Sequence, residues 1–333
     1  MRGRRVVTWT ALVGCVALGA TLVGAGQQGG VGQTPSPLPL SQAIRERGSS
    51  LTGAYEGWFY GKDGSTYALV GYFNRNTKQE FEIPVGPNNR IEPGGPDQGQ
   101  PTHFLTGRQW GVFAVKLPKD LGTKRLSWTL VANGFTNTIT LHTQPDYIVE
   151  PYEDAANKNT PPMIKFRPDA VAFTGPPTAI AENLNAVAGT PLPLIVWASD
   201  EGPKINVPEP GRGRGRGRGR GTDATGAGDD APGRGGRSAG AGRGEFTPPP
   251  PLALTWSMFR GPGLVKFDNA KPSIDKEQNG KASTTATFSA PGEYILRLQG
   301  NDSTGEGGGG FQCCWTNVHI GVSVKPAAGT GGQ

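Results

Sequence analysis

The chain has 333 residues, of which 53 are glycine and 30 are proline, and only 18% are charged. This length suffices for about two domains, and a composition so rich in turn-forming residues argues against a helical bundle. The net charge of +6 is poor evidence for a basic binding face, because much of the excess lies in one Gly-Arg repeat at residues 211–221.

The first 25 residues have the pattern of a secretory signal. A basic start at residues 1–5 precedes an apolar run over 6–23 and then small residues. This order predicts cleavage after about Ala25 and an exported protein that is periplasmic, cell-surface or secreted. Two alternatives remain: the run stays as a membrane anchor, or Cys15 is lipidated, since Leu-Val-Gly-Cys at 12–15 is similar to a lipobox. Membrane contact is expected only under these alternatives.

Residues 26–50 are rich in Gly, Gln, Pro and Ser and are interpreted as a low-complexity spacer. Strand patterns then follow over residues 51–152. Asn133-Gly134 separates two alternating runs, which is a strong hairpin signal because both turn positions need positive φ. Six or seven strands within about a hundred residues predict a small N-terminal β-sandwich.

One long polar stretch, residues 86–104, interrupts these strands. Long loops are often functional, so it is the best candidate for a recognition surface in this domain. Its candidate binding residues are Asn88, Asn89, Arg90, Asp97 and His103. Trp58, Tyr60 and Tyr72 offer a second possibility, because aromatic side chains on one face could stack on sugar rings, although core packing is the commoner role of such residues.

The next segment, residues 153–178, is proline-rich and is interpreted as a connector. Residues 179–197 predict the opening strands of a second sandwich. A Gly-, Arg- and Pro-rich tract at 208–251 follows; it cannot bury a core and is expected to be disordered. Because the four clear strands after it are too few to form a sandwich, the tract is predicted to be an insertion within the second domain. Residues 326–333 are expected to form a disordered tail.

From Leu252 to Val324 the chain alternates apolar and polar residues, which predicts strands with one buried and one solvated face. The motifs are Leu-Thr-Trp-Ser at 254–257, Gly-Pro-Gly at 261–263 and Ala-Thr-Phe-Ser-Ala-Pro-Gly-Glu-Tyr at 286–294. This stretch resembles the polycystic-kidney-disease-like (PKD-like) immunoglobulin sandwich of bacterial envelope proteins. The resemblance implies a PKD-like domain over residues 179–325 that contacts protein or carbohydrate and performs no reaction.

A glycine-rich loop ends in Phe311, Cys313, Cys314 and Trp315, between the last two predicted strands. Phe311 and Trp315 are candidate binding residues, and the adjacent cysteines are a candidate vicinal disulfide. Neighbouring Cα atoms lie about 3.8 Å apart, below the usual disulfide range, so such a ring would be strained. The loop is therefore predicted to be pinned structurally, with redox function as the alternative.

Other ligand chemistry receives weaker support. The Gly-Arg repeat could attract polyanions in a salt-dependent manner, through Arg212, Arg214, Arg216, Arg218 and Arg220. His319 with the two cysteines lacks a fourth metal ligand. Asn301, Asp302 and Glu306 offer too few oxygens for calcium. No metal and no cofactor are expected.

The sequence therefore predicts an all-β protein of two immunoglobulin-like antiparallel sandwiches, the second interrupted by a disordered insertion. Its three histidines, His103, His142 and His319, are scattered, and catalysis finds little support. The expected function is a non-catalytic binding or adhesion module, or an envelope accessory subunit, with a protein or carbohydrate ligand. The alternatives are a redox component that uses Cys313 and Cys314, and a polyanion-binding protein.

Overall fold

A computed structural model describes residues 44–155, 158–202, 252–302 and 314–327. Within these ranges the regular structure consists of β-strands and one 3-10 turn, Pro145–Tyr147, which confirms the all-β prediction. The first eight strands are β1 (Leu51–Tyr60), β2 (Thr66–Asn74), β3 (Phe81–Glu82), β4 (Asn89–Glu92), β5 (His103–Phe104), β6 (Gly107–Lys116), β7 (Leu126–Ala132) and β8 (Phe135–Leu141). The next eight are β9 (Met163–Lys165), β10 (Ile180–Val187), β11 (Leu192–Ser199), β12 (Leu252–Arg260), β13 (Val265–Phe267), β14 (Lys281–Phe288), β15 (Gly292–Asp302) and β16 (Trp315–Lys325).

The N-terminal sandwich packs an antiparallel sheet of order β1-β2-β6 against another of order β4-β7-β8, with a short β3-β5 pair beside them. The β7–β8 hairpin turns at Asn133 and Gly134, whose φ angles of 49° and 78° confirm the predicted turn. Aromatic residues fill the space between the sheets, where Trp128 lies edge-on to Phe113 at 5.2 Å between ring centroids. Burial of these rings supplies much of the hydrophobic stabilisation.

The C-terminal sandwich has sheets of order β10-β16-β15-β12 and β13-β14-β11-β9. The second order, together with β12-β15-β16 in the first sheet, is the strand arrangement of the immunoglobulin fold. Only β10, parallel to β16, departs from antiparallel pairing among the described strands. Tyr294, near the start of β15, donates its hydroxyl hydrogen to the Ala290 carbonyl oxygen at 2.8 Å, the tyrosine-corner contact of such domains.

Within residues 179–197, β10 pairs with β16 and β11 pairs with β14. Both strands that flank the Gly-Arg tract, β11 and β12, therefore belong to one sandwich; residues 208–251 and 328–333 themselves lie outside the described residues. The proline-rich segment 153–178, interpreted as a connector, also forms part of a sheet. It contributes β9, which pairs with β11.

The fold also extends into the residues interpreted as a spacer. Ser49 and Ser50 are buried, and Arg45 bridges to Asn76. Residues 1–43, which include the signal, Ala25 and Cys15, lie outside the described residues. Within the described residues no helix is long and apolar enough to cross a membrane.

The two sandwiches pack against each other. Phe259 of β12 is 2% exposed and joins the core cluster of the N-terminal sandwich. Trp315 of β16 packs with Phe59, Tyr67 and Leu69 from the same sandwich. The outer face of the β16-β15-β12 sheet is thus covered where it meets the first sandwich, although its alternating polar residues predicted a solvated face.

Candidate functional site

A polar seam lies between the sandwiches and consists of Glu56, Arg108, Gln109, Arg297 and Asn317, of which Arg108 and Gln109 are only partly buried. Arg108 Nη2 donates to Glu56 Oε1 at 2.6 Å, and the Gly111 N–H donates to Glu56 Oε2 at 2.8 Å. Arg297 Nε donates to Asn317 Oδ1 at 2.9 Å, and its Nη1 donates to Gln109 Oε1 at 3.2 Å. Burial raises the pKa of the Glu56 carboxyl, and the charge of Arg108 opposes this shift.

His319 extends this interface. Its Nε2 lies 3.0 Å from the Val112 carbonyl oxygen, which can only accept, so Nε2 carries the hydrogen. Its ring contacts Phe259 at 4.2 Å between centroids. Burial lowers the pKa of His319 to about 3, and the charge of Arg297 adds to the shift. The Nε2–H group is therefore used in holding the sandwiches together.

The predicted recognition loop, residues 86–104, contains β4 and β5 and is held by its own side chains. Asn89 is fully buried: its Nδ2 donates to the Ile83 and Pro101 carbonyl oxygens at 2.9 and 2.7 Å, and Trp128 Nε1 donates to its Oδ1 at 3.0 Å. A binding role for Asn89 would need solvent access that this side chain lacks. Asn89 is a structural residue that fixes the loop to the core.

Asp97 joins the loop to the second sandwich. Arg260 Nη1 and Nη2 donate to its two carboxylate oxygens at 2.9 and 2.7 Å, and Arg260 Nε donates to the Gln100 carbonyl oxygen at 2.6 Å. These bonds lower the pKa of the Asp97 carboxyl. A bidentate Arg–carboxylate pair fixes orientation as well as distance, so the loop and β12 are held in one geometry.

The other three predicted loop residues differ in exposure, and the His103 side chain is only 10% exposed. Asn88 is exposed, and Arg90 pairs with Glu92 at 2.9 Å and also donates to the Pro87 carbonyl oxygen. His103 lies between two glutamates, with Nδ1 at 2.5 Å from Glu82 Oε1 and Nε2 at 3.4 Å from Glu80 Oε2. Binding through Asn88, Arg90 and His103 stays a prediction.

A groove of about 610 Å³ opens between the sandwiches next to this loop. One wall comes from the β3 region of the N-terminal sandwich and the other from the turns at residues 261–264 and 291–293. We call it the junction groove; it is lined by Glu82, Pro84, Thr102, Arg260, Gly261, Pro262, Gly263, Leu264, Pro291, Gly292 and Glu293. Clefts between domains are common ligand sites, and Arg90 lines a neighbouring concavity of about 580 Å³.

Trp315, a predicted binding residue, is 2% exposed and packs inside the interface. The first sandwich covers this residue, as it covers the face of β16 that was expected to be solvated, so a ligand could contact Trp315 only if this interface opened. Cys314 is 1% exposed and disulfide-bonded. Phe311 and Cys313 lie outside the described residues, so the vicinal pairing stays a prediction, and so does binding through Phe311.

Among the described residues, no three His, Cys, Asp or Glu side chains are arranged to hold a metal ion. Asp302, a member of the calcium alternative, is 3% exposed and accepts a hydrogen bond from Asn159 Nδ2 at 2.5 Å. Burial and the nearby charge of Asp302 raise the pKa of Asp200 to about 6. Glu306 and the five arginines of the repeat lie outside the described residues.

The aromatic residues proposed for sugar stacking separate. Tyr72 is 1% exposed and belongs to the core, where its hydroxyl oxygen accepts from the Leu105 N–H at 2.9 Å. Trp58 is also buried and lies edge-on to Tyr60 at 5.4 Å between centroids. Tyr60 and Tyr147 are 60% and 48% exposed. Ile148, which follows Tyr147, bridges to Trp58 on β1. We call Trp58, Tyr60 and Tyr147 the lateral aromatic patch.

The described strands thus form an all-β protein of packed sandwiches with a groove between them. No protein-family model matches the chain, and no curated protein matches it. Three solved structures with similarity to this chain are crystal or other structures of S-layer proteins, at 10 or 11% sequence identity. The S-layer protein rSbsC(31-844) has a TM-score of 0.21 over 85% of this chain, and SbsC domains 1-6 have a TM-score of 0.21 over 84%. SbsC domains 4 and 5 have a TM-score of 0.19 over 83% of this chain. The chain covers 28% of each of the first two structures and 98% of the third. TM-scores this low support no inference about fold or function.

Proposed function

We propose that this protein is an exported, non-catalytic binding module that holds an extended segment of an envelope protein in the junction groove. The observation that carries the proposal is a groove with walls from both sandwiches, whose relative position is fixed by the Arg260–Asp97 pair and the polar seam. A groove held rigid before binding reduces the entropy lost on association. The PKD-like resemblance of the C-terminal sandwich, which remains a proposal, supports the same class of function.

The lining of the groove favours a peptide over a sugar. Its apolar lining comes from three prolines and from Leu264, which is 69% exposed, and none of its lining residues is aromatic. Two exposed carboxylates, which we call its rim, also line it: Glu82, which contacts His103 Nδ1, and Glu293, which accepts from Ser323 Oγ. The Arg260 guanidinium is engaged by Asp97. An apolar lining with an acidic rim is complementary to a segment that carries apolar and basic side chains.

Selection of displayed random peptides on the mature protein tests this proposal. We expect enriched peptides to combine apolar and basic residues, with dissociation constants measured by fluorescence anisotropy. Leu264→Asp and Glu293→Lys should each weaken binding by about tenfold or more, since one removes the apolar contact and the other reverses a rim charge. Phe135→Asp, on β8 and outside the groove lining, is the matched control. Equal binding by all three variants would show that the groove is not the site.

Export is tested separately by the mass of the mature protein. Cleavage after about Ala25 gives an unmodified N-terminus, whereas an acylated N-terminal residue at Cys15 would favour the lipoprotein alternative. An uncleaved chain in the membrane fraction would favour the retained anchor.

A second candidate function is carbohydrate binding at the lateral aromatic patch. The favouring observation is that Tyr60 and Tyr147 are about half exposed, while Trp58 lies edge-on to Tyr60 and His142 lies edge-on to Tyr147. A glycan screen should then return hits that Tyr60→Ala and Tyr147→Ala abolish and that Leu264→Asp leaves unchanged. The redox alternative receives less support, because the Cys314 side chain is buried.

A further inference from the structure

The strand β10 lies at the edge of its four-stranded sheet. It pairs with β16 on one side over Ile180–Val187. On its other side, no strand or isolated bridge of the described residues pairs with it. With respect to the described residues, its outward N–H and C=O groups therefore form an open template for another strand.

Several other sheet edges are covered. At β12, the Trp256 N–H donates to the Ala270 carbonyl oxygen at 2.7 Å, and the Phe259 carbonyl oxygen accepts from Thr102. At β1, the Trp58 carbonyl oxygen accepts from Val149 at 2.9 Å. At β9, Ile164 exchanges two backbone hydrogen bonds with Phe173. The edge of β10 differs from these three, because loops of the same chain cover them.

The sequence of β10 also lacks the usual protection of an exposed edge. Its eight residues, IAENLNAV, contain no proline or lysine and one charged residue, Glu182. Arg167 Nη1 lies 3.4 Å from Glu182 Oε2 and neutralises that charge. Asn183 and Asn185 point outward and are exposed, while Leu184 lines an apolar cleft of about 200 Å³ with Ile195.

We propose that the open edge of β10 binds β10 of a second copy of this chain, antiparallel, about a two-fold axis at Leu184. When a two-fold axis runs perpendicular to the sheet, the residue numbers of two directly opposed residues must add up to an even number. Only then do the opposed side chains lie on the same face of the sheet. Centring on Leu184 places Asn183 opposite the second copy's Asn185 and Glu182 opposite its Ala186. No like charges face each other, and the two Leu184 side chains meet beside their clefts. A two-fold axis at Asn183 would instead place Glu182 opposite Leu184 of the second copy.

The test is the oligomeric state of the mature chain, followed by analytical ultracentrifugation over a range of concentrations, together with hydrogen exchange of residues 180–187. We expect a reversible dimer and exchange protection in β10 that rises with protein concentration. Asn183→Lys with Asn185→Lys should raise the dimer dissociation constant by about tenfold or more, because lysines then oppose lysines. Thr136→Lys with Thr140→Lys adds the same charge to the exposed face of β8 and should leave the dimer intact.

Both double variants carry the substitutions on exposed positions, so thermal unfolding should show that each still folds. The proposal is overturned by a monomer at every concentration, or by a dimer that the β10 lysines do not weaken. It is equally overturned if β10 becomes protected only when an envelope extract is added, since the occupant is then a strand from another protein. None of these readouts depends on the peptide proposed for the junction groove.

Discussion

The indole ring of Trp315 occupies the space that a side chain on Gly111 would need. A Cβ atom added to Gly111 would lie 1.8 Å from Cη2 of Trp315, and the φ angle of Gly111 is +50°. Gly111 lies on β6 and Trp315 begins β16, so this contact joins the two sandwiches. The glycine is required here both for close approach and for its backbone conformation.

Gly111→Ala should therefore destabilise the protein by about 2–5 kcal/mol, from overpacking against the indole and from the left-handed backbone. Gly107→Ala is the matched control on the same strand: its φ is +76°, but nothing among the described residues lies within 4 Å of the added Cβ. It should cost about 1–2 kcal/mol for the backbone alone. Urea unfolding measures both, and equal losses would contradict the close packing of Trp315.

Asn89→Ala should destabilise the protein by about 2–4 kcal/mol, because two carbonyl oxygens and the Trp128 indole N–H would lose their buried partner. Its exposed neighbour is the control: Asn88→Ala should change stability by less than about 0.5 kcal/mol. Thermal and urea unfolding of the two variants give the comparison. If Asn89→Ala unfolded like the wild type while losing ligand affinity, the original binding prediction would be restored.

Local sequence patterns predict most of the strands and turns, but they do not predict which residues pack over the faces of the sheets. The Asn133-Gly134 turn follows from the need for positive φ, and the alternating runs on either side of it form the β7–β8 hairpin. Arg297 and His319 occupy polar positions of an alternating strand, which normally indicates a solvated face. Both are buried because a second domain packs on that face, and this contact depends on residues nearly two hundred positions away.

The candidate site was predictable only in part, for a similar reason. Length and polarity marked residues 86–104 as unusual, and Asp97 does reach the second sandwich. Its partner Arg260 follows Phe259 at the end of a strand, and no local pattern links it to that loop. The apolar lining of the junction groove at Leu264 and Pro262 comes from turn residues. Composition predicts only that such residues lie in a loop.

Loss of the Arg260–Asp97 pair should loosen the junction groove. A double-mutant cycle with Arg260→Ala and Asp97→Ala should give a coupling energy of about 1 kcal/mol, since Asp97 is partly solvated and screened. The pKa of Asp97 is lowered by Arg260, so this contribution is present above the unfolded pKa and disappears as pH falls through the folded pKa. The cycle measured by urea unfolding near neutral pH and again in acid tests both statements. A coupling energy that persists in acid would contradict them.

The buried imidazole of His319 should make the protein sensitive to mild acid. Its folded pKa of about 3 lies below the usual 6.5, so the unfolded chain binds more protons as pH falls through this range. Stability should then decrease by at most about 1.4 kcal/mol per pH unit below about pH 6.5. Glu56 has the opposite effect on the pH dependence of stability, because burial raises its pKa. The quantity to compare is therefore the difference in unfolding free energy between the His319 variant and the wild type at each pH.

His319→Gln keeps a side-chain N–H for the Val112 carbonyl oxygen but cannot become charged. It should be less stable than the wild type near pH 7.5, where packing against Phe259 is lost, and should lose less stability down to about pH 4.5. His142→Gln is the control, because His142 lies nearer the surface and is only partly buried. The free energies of unfolding of the wild type and His319→Gln could instead decrease equally as the pH is lowered. This result would mean that the ring is hydrated or already charged in the folded protein. The interface around β16 would then be open to water, and the rigid junction groove would lose its physical basis.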